Sequence, residues 1–194
     1  MNPIAPNAAI TRQQVARENL DMAIHILLTH GKLASANLLA WAAIDVIKGV
    51  AAHRGITTLG SAIEDMIITE KVGEWYRHLK EHYNYAKHAD KDPEKILEFN
   101  FDAVVMAIFE GCVDYGEVFK AHSYPMVMIK AWMFASRPEF LKDTGDHLLG
   151  AALKAFPKGA ADAKMLHDMY AVYDKHRAEI VAQMDEASRK AIQV

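Results

Sequence analysis

Three histidines, His78, His82 and His88, fall within eleven residues of a stretch that also carries Arg77, Lys80, Glu81, Asn84, Lys87 and Asp90. Residues 71–91 hold two more basic than acidic side chains before the histidines are counted. Imidazole is the side chain best suited to proton transfer near neutral pH, and a guanidinium fork matches phosphate oxygens. The chemistry that these types suggest is therefore handling of a phosphate or of a proton next to one. At about 100° per residue, Arg77, Glu81, Asn84 and His88 fall within roughly 60° of one another on an ideal helix. They lie opposite an apolar face of Val72, Trp75, Leu79, Tyr83 and Ala86. Such a row can line a cleft. It is equally what the wet face of an amphipathic helix carries.

Other chemistries leave weaker traces. His78-Leu79-Lys80-Glu81-His82 spells the inverted zinc-protease pattern, with two histidines four apart and a glutamate as base. The sequence names no third ligand, so no metal or cofactor is expected. His167-Asp168 lacks the partners that a phosphohydrolase needs. There is no Walker loop, no dinucleotide fingerprint, no nucleophile elbow and no Glu-x-x-His pair for a di-iron bundle. His25, His53, His122, His147 and His176 stand alone and read as structural or exposed.

Asn84-Tyr85-Ala86-Lys87-His88-Ala89-Asp90-Lys91-Asp92-Pro93-Glu94, followed by Leu97-Glu98-Phe99-Asn100, resembles a group of short uncharacterised bacterial proteins. Their core reads Asn-Phe-Phe-Lys-His-Ala-Asp-Arg-Asp-Pro, and the likeness runs from the Gln14 helix to about Pro138. More distantly the chain is similar to the HEPN superfamily of helical bundles, several of which are metal-independent ribonucleases. Their signature is an arginine with a histidine four to six residues beyond it. Arg77-His78-Leu79-Lys80-Glu81-His82 fits it literally, and Tyr83-Asn84-Tyr85-Ala86-Lys87-His88 fits with tyrosine in place of the arginine.

The resemblance implies Arg77, His82 and His88 as catalytic candidates. Arg77 would hold a phosphate, and His82 or His88 would move the 2′-hydroxyl proton without a metal. Glu81, Asn84, Lys87, Asp90 and Asp92 would be the motif or substrate-binding residues. The implied partners are RNA or a nucleotide, together with a second copy of the chain in a homodimer. On a regular helix Arg77 and His82 diverge by about 140°, so convergence needs a helix end or a partner subunit. The alternative is a non-enzymatic helical dimerisation or interaction module, bound to a protein partner, in which Asn84–Pro93 is structural. Asp92 and Pro93 would then start a helix, with Asn84 and His88 tying down the turn.

The elements that must position these residues are all helical, six to eight of them in one domain. Residues 1–10, with Pro3 and Pro6, read as a flexible leader. Residues 11–194 form one helical domain, with the HEPN-like core at about 11–138 and C-terminal helices over 139–194. Thr11 to Gln14 is a capping box that opens a helix stopped by Gly31. A second helix starts at Ser35 or Asn37 and stops at Gly55, and Ser61 to Glu64 is another capping box. Asn100 caps a helix to Phe119, and Pro125 opens one that ends before Pro138. Asp146–Phe156 is a short helix. The last runs from Asp162 to about Lys190, with a seam of Leu166, Tyr170, Tyr173, Ile180, Met184 and Ala187.

Composition bounds the rest. The chain of 194 residues is 52% hydrophobic and 24% charged, enough to bury a core without staples. A net charge of −3 gives no global pull toward nucleic acid. Cys112, the one cysteine, sits in an apolar run and reads as a small buried hydrophobe. One thiol and a start without a basic or apolar leader suggest a cytoplasmic protein. Charges break the apolar stretches, so no membrane span is expected.

Overall fold

In a computed structural model, residues 9–64, 69–71, 73, 77, 80–88, 93–136 and 163–183 are described; residues 1–8 of the expected leader, the Asp146–Phe156 helix and the end of the last helix lie outside them. The described residues form seven α-helices and a three-residue 3₁₀ turn, with no strand. We number the helices α1 (Arg12–His30), α2 (Leu33–Arg54), α3 (Leu59–Glu64), α4 (Glu81–Lys87), α5 (Phe101–Phe119), α6 (Tyr124–Ser136) and α7 (Ala163–Gln183).

Local signals account for most of the ends. The Thr11 hydroxyl accepts the Gln14 N–H at 3.2 Å, and the Gln14 amide oxygen accepts the Thr11 N–H at 2.9 Å. That closes the capping box and satisfies two donors that a helix start leaves bare. Gly31 and Gly55 end α1 and α2 in the left-handed region, at φ 61° and 65°, where a side chain would be strained. Asn100 Oδ1 accepts the Asp102 N–H at 2.8 Å and opens α5.

Three expected starts move. The second helix begins at Leu33 without a side-chain cap, so Ser35 and Asn37 lie inside it, and Asn37 is buried. Thr58, not Ser61, caps α3: its hydroxyl accepts the Ser61 N–H at 3.2 Å and shares a 2.8 Å bond with the Ser61 hydroxyl. Pro93 starts no helix. It belongs to a turn with Glu94, and residues 95–100 run without regular structure to the cap of α5.

The core is a three-helix contact. α1, α2 and α5 pack on one another, α6 closes on α1 and α5, and α7 lies across α1 and α6. α2 turns Ala36, Ala40, Trp41, Ala43, Ile44, Ile47 and Ala51 inward. By length and composition its 22 residues could cross a membrane, a test that the core helix of a soluble protein also passes, and Asp45 and Lys48 interrupt its apolar run. Trp41, Cys112 and Trp132 are buried as expected. Leu166, Tyr170 and Tyr173 of the α7 seam are buried too, Ile180 packs at the core's edge, and His176 departs from helical geometry at φ −111°, ψ 17°. The described part of the seam therefore faces the body of the domain.

Gly111 sets how closely the three helices approach. A Cβ there would stand 2.7 Å from Leu20 Cδ2 and 3.4 Å from Ile44 Cγ1, both on fully buried side chains. Gly49, in mid-α2, has nothing within 4 Å of the same added atom. Both alanine variants gain about 1 kcal/mol of helix propensity, so their difference isolates the clash. Urea denaturation should place Gly111→Ala below Gly49→Ala by about 1–3 kcal/mol. Equal midpoints would mean that Gly111 does not control the packing.

Candidate functional site

The chemistry-bearing segment is short and held from two sides. Lys80 precedes α4 at φ −95°, ψ 7°, outside helical geometry, and His88 follows it at φ −124°, ψ 52°. The helix that would align Arg77 with Glu81, Asn84 and His88 is thus interrupted at Lys80, and His88 stands past its end. The row expected from an ideal helix is not formed as one continuous stripe.

Asp45 of α2 anchors the inner side. Its carboxylate takes the Lys80 ammonium at 2.7 Å and the Tyr83 hydroxyl at 3.3 Å. The same ammonium lies 5.2 Å from the Trp41 ring, and the Trp41 and Tyr83 rings are 6.4 Å apart. Tyr83 is buried, as its place on the apolar face required, whereas Ala86 of that face is exposed. Val72, Trp75 and Leu79 lie outside the described residues.

The outer side is clamped by the run before α5. His82 Nε2 donates to the Glu98 carbonyl at 2.9 Å, because a carbonyl can only accept, and the His82 ring packs 4.7 Å from Phe99. Tyr85 donates its hydroxyl to the Lys95 carbonyl at 2.8 Å, and the Lys95 ammonium reaches Glu81 Oε1 at 3.1 Å. Two backbone carbonyls with no helical or strand partner are thereby satisfied.

Of the expected site residues, Glu81 and His82 are thus brought together on this clamp. Asn84 and Lys87 are exposed, with the Lys87 ammonium 5.2 Å from the Tyr83 ring. Arg77 is exposed, and neither it nor the His88 ring has a hydrogen-bond or ion-pair partner among the described residues. Asp90 and Asp92 lie outside the described residues. So does His78 of the zinc pattern, and no group of three or more metal-ligating side chains occurs among those described.

The larger buried polar groupings lie elsewhere, where sequence reading did not look. Asp114 on α5 is fully buried. Its Oδ1 accepts the Leu59 N–H at 2.6 Å, while Oδ2 has no hydrogen-bond partner. Burial raises its pKa to about 6, helped by Glu110 one turn away and opposed by the Leu59 N–H and by Lys48. Lys48 stands 3.1 Å from Glu110 Oε1, and both crowd Gly60, where a Cβ would sit 2.6 Å from each. The legible signal was Glu110 and Asp114, four apart within the apolar middle of α5.

A second grouping joins α1 to the loop before α6. Ser123 donates to Asp21, which also faces Arg17 at 3.5 Å, and burial raises the Asp21 pKa against both. His25 and Tyr170 meet at 3.2 Å beside it. A third is the Lys130 ammonium, which donates to His122 Nε2 at 2.9 Å; burial lowers both pKa values, that of His122 to about 4. Burial pushes the Cys112 thiol up and leaves it un-ionised, which fits an inert core residue.

Compared with protein-family models, curated proteins and solved structures, the chain matches none. The resemblances noted above rest on their motif residues alone.

Asp114 makes a pH prediction. Its folded pKa lies above the ordinary 3.8. Its contribution is therefore fully present below about pH 4 and lost as pH rises through about 6. Relative to Asp114→Asn, which cannot ionise, the wild type should lose up to about 3 kcal/mol between pH 4 and pH 7.5. Paired urea melts at the two pH values test this, and a pH-independent difference between the proteins would contradict it.

Proposed function

We propose that the chain is a helical interaction module in which the segment from Glu81 to Asn100 is architectural rather than catalytic. One observation carries the reading: His82, the histidine best placed by the HEPN-like pattern, donates its Nε2–H to the Glu98 carbonyl. With Tyr85 and Glu81 it holds the 95–99 run against α4. The bond to Glu98 engages Nε2 and fixes the tautomer, so Nδ1 alone is left to take a proton, on a ring packed 4.7 Å from Phe99. The clamp leaves Ile96 turned outward and 90% exposed, the barest large apolar side chain in the described chain. It is the point at which a protein surface, a second copy first, would gain most by burial.

The RNA or nucleotide reading keeps one specific support. Arg77 and Lys87 are exposed, and the Arg77 guanidinium and the His88 ring are without partners among the described residues. If that reading holds, Arg77→Ala and His88→Ala remove binding or EDTA-resistant cleavage while the fold survives.

The two readings separate in one set of variants. The architectural reading predicts that His82→Ala lowers stability by about 1 kcal/mol, the usual size of one lost hydrogen bond. It also predicts that purified protein leaves labelled RNA intact in EDTA. Cleavage that His82→Ala abolishes would overturn it. Sedimentation should find a dimer that Ile96→Asp dissociates, and a monomeric wild type would remove the second copy as the partner.

A further inference from the structure

A groove of about 830 Å³ runs between the start of α1, the outer face of α2 and the end of α5. Its floor is Val46, Gly49, Val50 and Phe119, and its rim carries Arg12, His53 and Arg54. We propose that this groove binds a small organic phosphate, with the phosphate on Arg12, His53 and Arg54 and the apolar or planar body on the floor. The inference goes beyond the function proposed above and does not depend on what the Glu81–Asn100 segment does.

The rim is cationic and uncompensated. Arg12 and His53 make no side-chain hydrogen bond or ion pair among the described residues, and the first turn of α1 holds no acidic residue to answer Arg12. Arg54 is held in place: one Nη1–H donates to the Val118 carbonyl at 2.9 Å, and its guanidinium carbon lies 5.6 Å from the Phe119 ring. The fixed fork keeps further N–H groups for an anion, and holding it costs little entropy when the anion arrives. Asp45 is the carboxylate among the lining residues, and the Lys80 ammonium already neutralises it at 2.7 Å.

The floor makes the second argument. Glycine in a helix interior is about 1 kcal/mol less favourable than alanine, and a close approach usually explains it. Gly49 has no such reason within the described chain, since a Cβ there meets nothing within 4 Å. The bare position leaves the groove open between Val46 and Val50. The volume falls within the range of sites for small ligands and exceeds what a lone phosphate fills. A phosphate ester with an apolar body uses both the rim and the floor.

The test is a titration of the full chain with AMP, followed by amide chemical shifts and calorimetry, beside adenosine and inorganic phosphate. We expect AMP to shift the Gly49, Val50, His53 and Arg54 amides and to bind at least about tenfold more tightly than adenosine, as a charge-assisted contact requires. Inorganic phosphate should move the rim amides alone. Arg12→Gln should weaken AMP about tenfold. Gly49→Phe, whose side chain starts in open space on a better helix former, should keep the fold and block AMP. AMP that binds no better than adenosine, shifts confined to other surfaces, or no binding up to about 10 mM would each overturn the proposal. So would unchanged affinity in a folded Gly49→Phe.

Discussion

Everything else in the fold depends on how closely α1, α2 and α5 pack. α2 can be central because half of its inward face is alanine, and Gly111 opposite gives the Leu20 side chain room at the crossing. Helices that close together exclude water over a long contact, and burial of this kind is the dominant favourable term in folding. Once α2 is enclosed, its few charged side chains have only one place to go. Asp45 and Lys48 stand on its outer part, and each receives another element: Asp45 takes Lys80 and Tyr83 ahead of and within α4, and Lys48 meets Glu110 beside the start of α3. α4 is thus held by Asp45 on the central helix and by the buried Tyr83, whereas α3 is tied to α5 through the Leu59 N–H on Asp114.

That arrangement explains which parts were legible in the sequence. Thr11 with Gln14, Gly31, Gly55 and Asn100 act through bonds within a few residues, and each bounds its helix where the sequence places it. The all-helical class and the buried α7 seam follow from spacing that tertiary packing reinforces. The row from Arg77 to His88 did not survive because it assumed one continuous helix. Lys80 leaves helical geometry just where its ammonium meets Asp45, thirty-five residues earlier in the chain. Nothing local to Lys80 announces that partner. The same holds for Thr58, which outcompetes Ser61 as the cap next to Leu59, whose N–H is taken by Asp114 from α5.

His82 shows how one side chain can fit a chemical pattern by type and spacing and an architectural one by position. Its type and spacing fit proton transfer. Its position makes it a donor to an otherwise unpartnered carbonyl, with the Phe99 ring tilted against it. A run without regular structure must have its backbone groups satisfied by something, and here side chains of α4 supply the bonds. The polar residues of the segment therefore divide. Glu81, His82 and Tyr85 stabilise the run before α5, while Arg77, Asn84 and Lys87 face outward.

The most direct test of an architectural segment is hydrogen exchange at the α4 amides, in the wild type and in His82→Ala with Tyr85→Phe. The Asn84 and His88 N–H groups bond to the Lys80 and Asn84 carbonyls and report whether the short helix holds. A helix of seven residues is too short to persist by itself. Loss of the clamp should therefore speed exchange across α4 by about tenfold or more, while α1, α2 and α5 keep their protection. Unchanged exchange in α4 would contradict the account and favour a chemical role for His82.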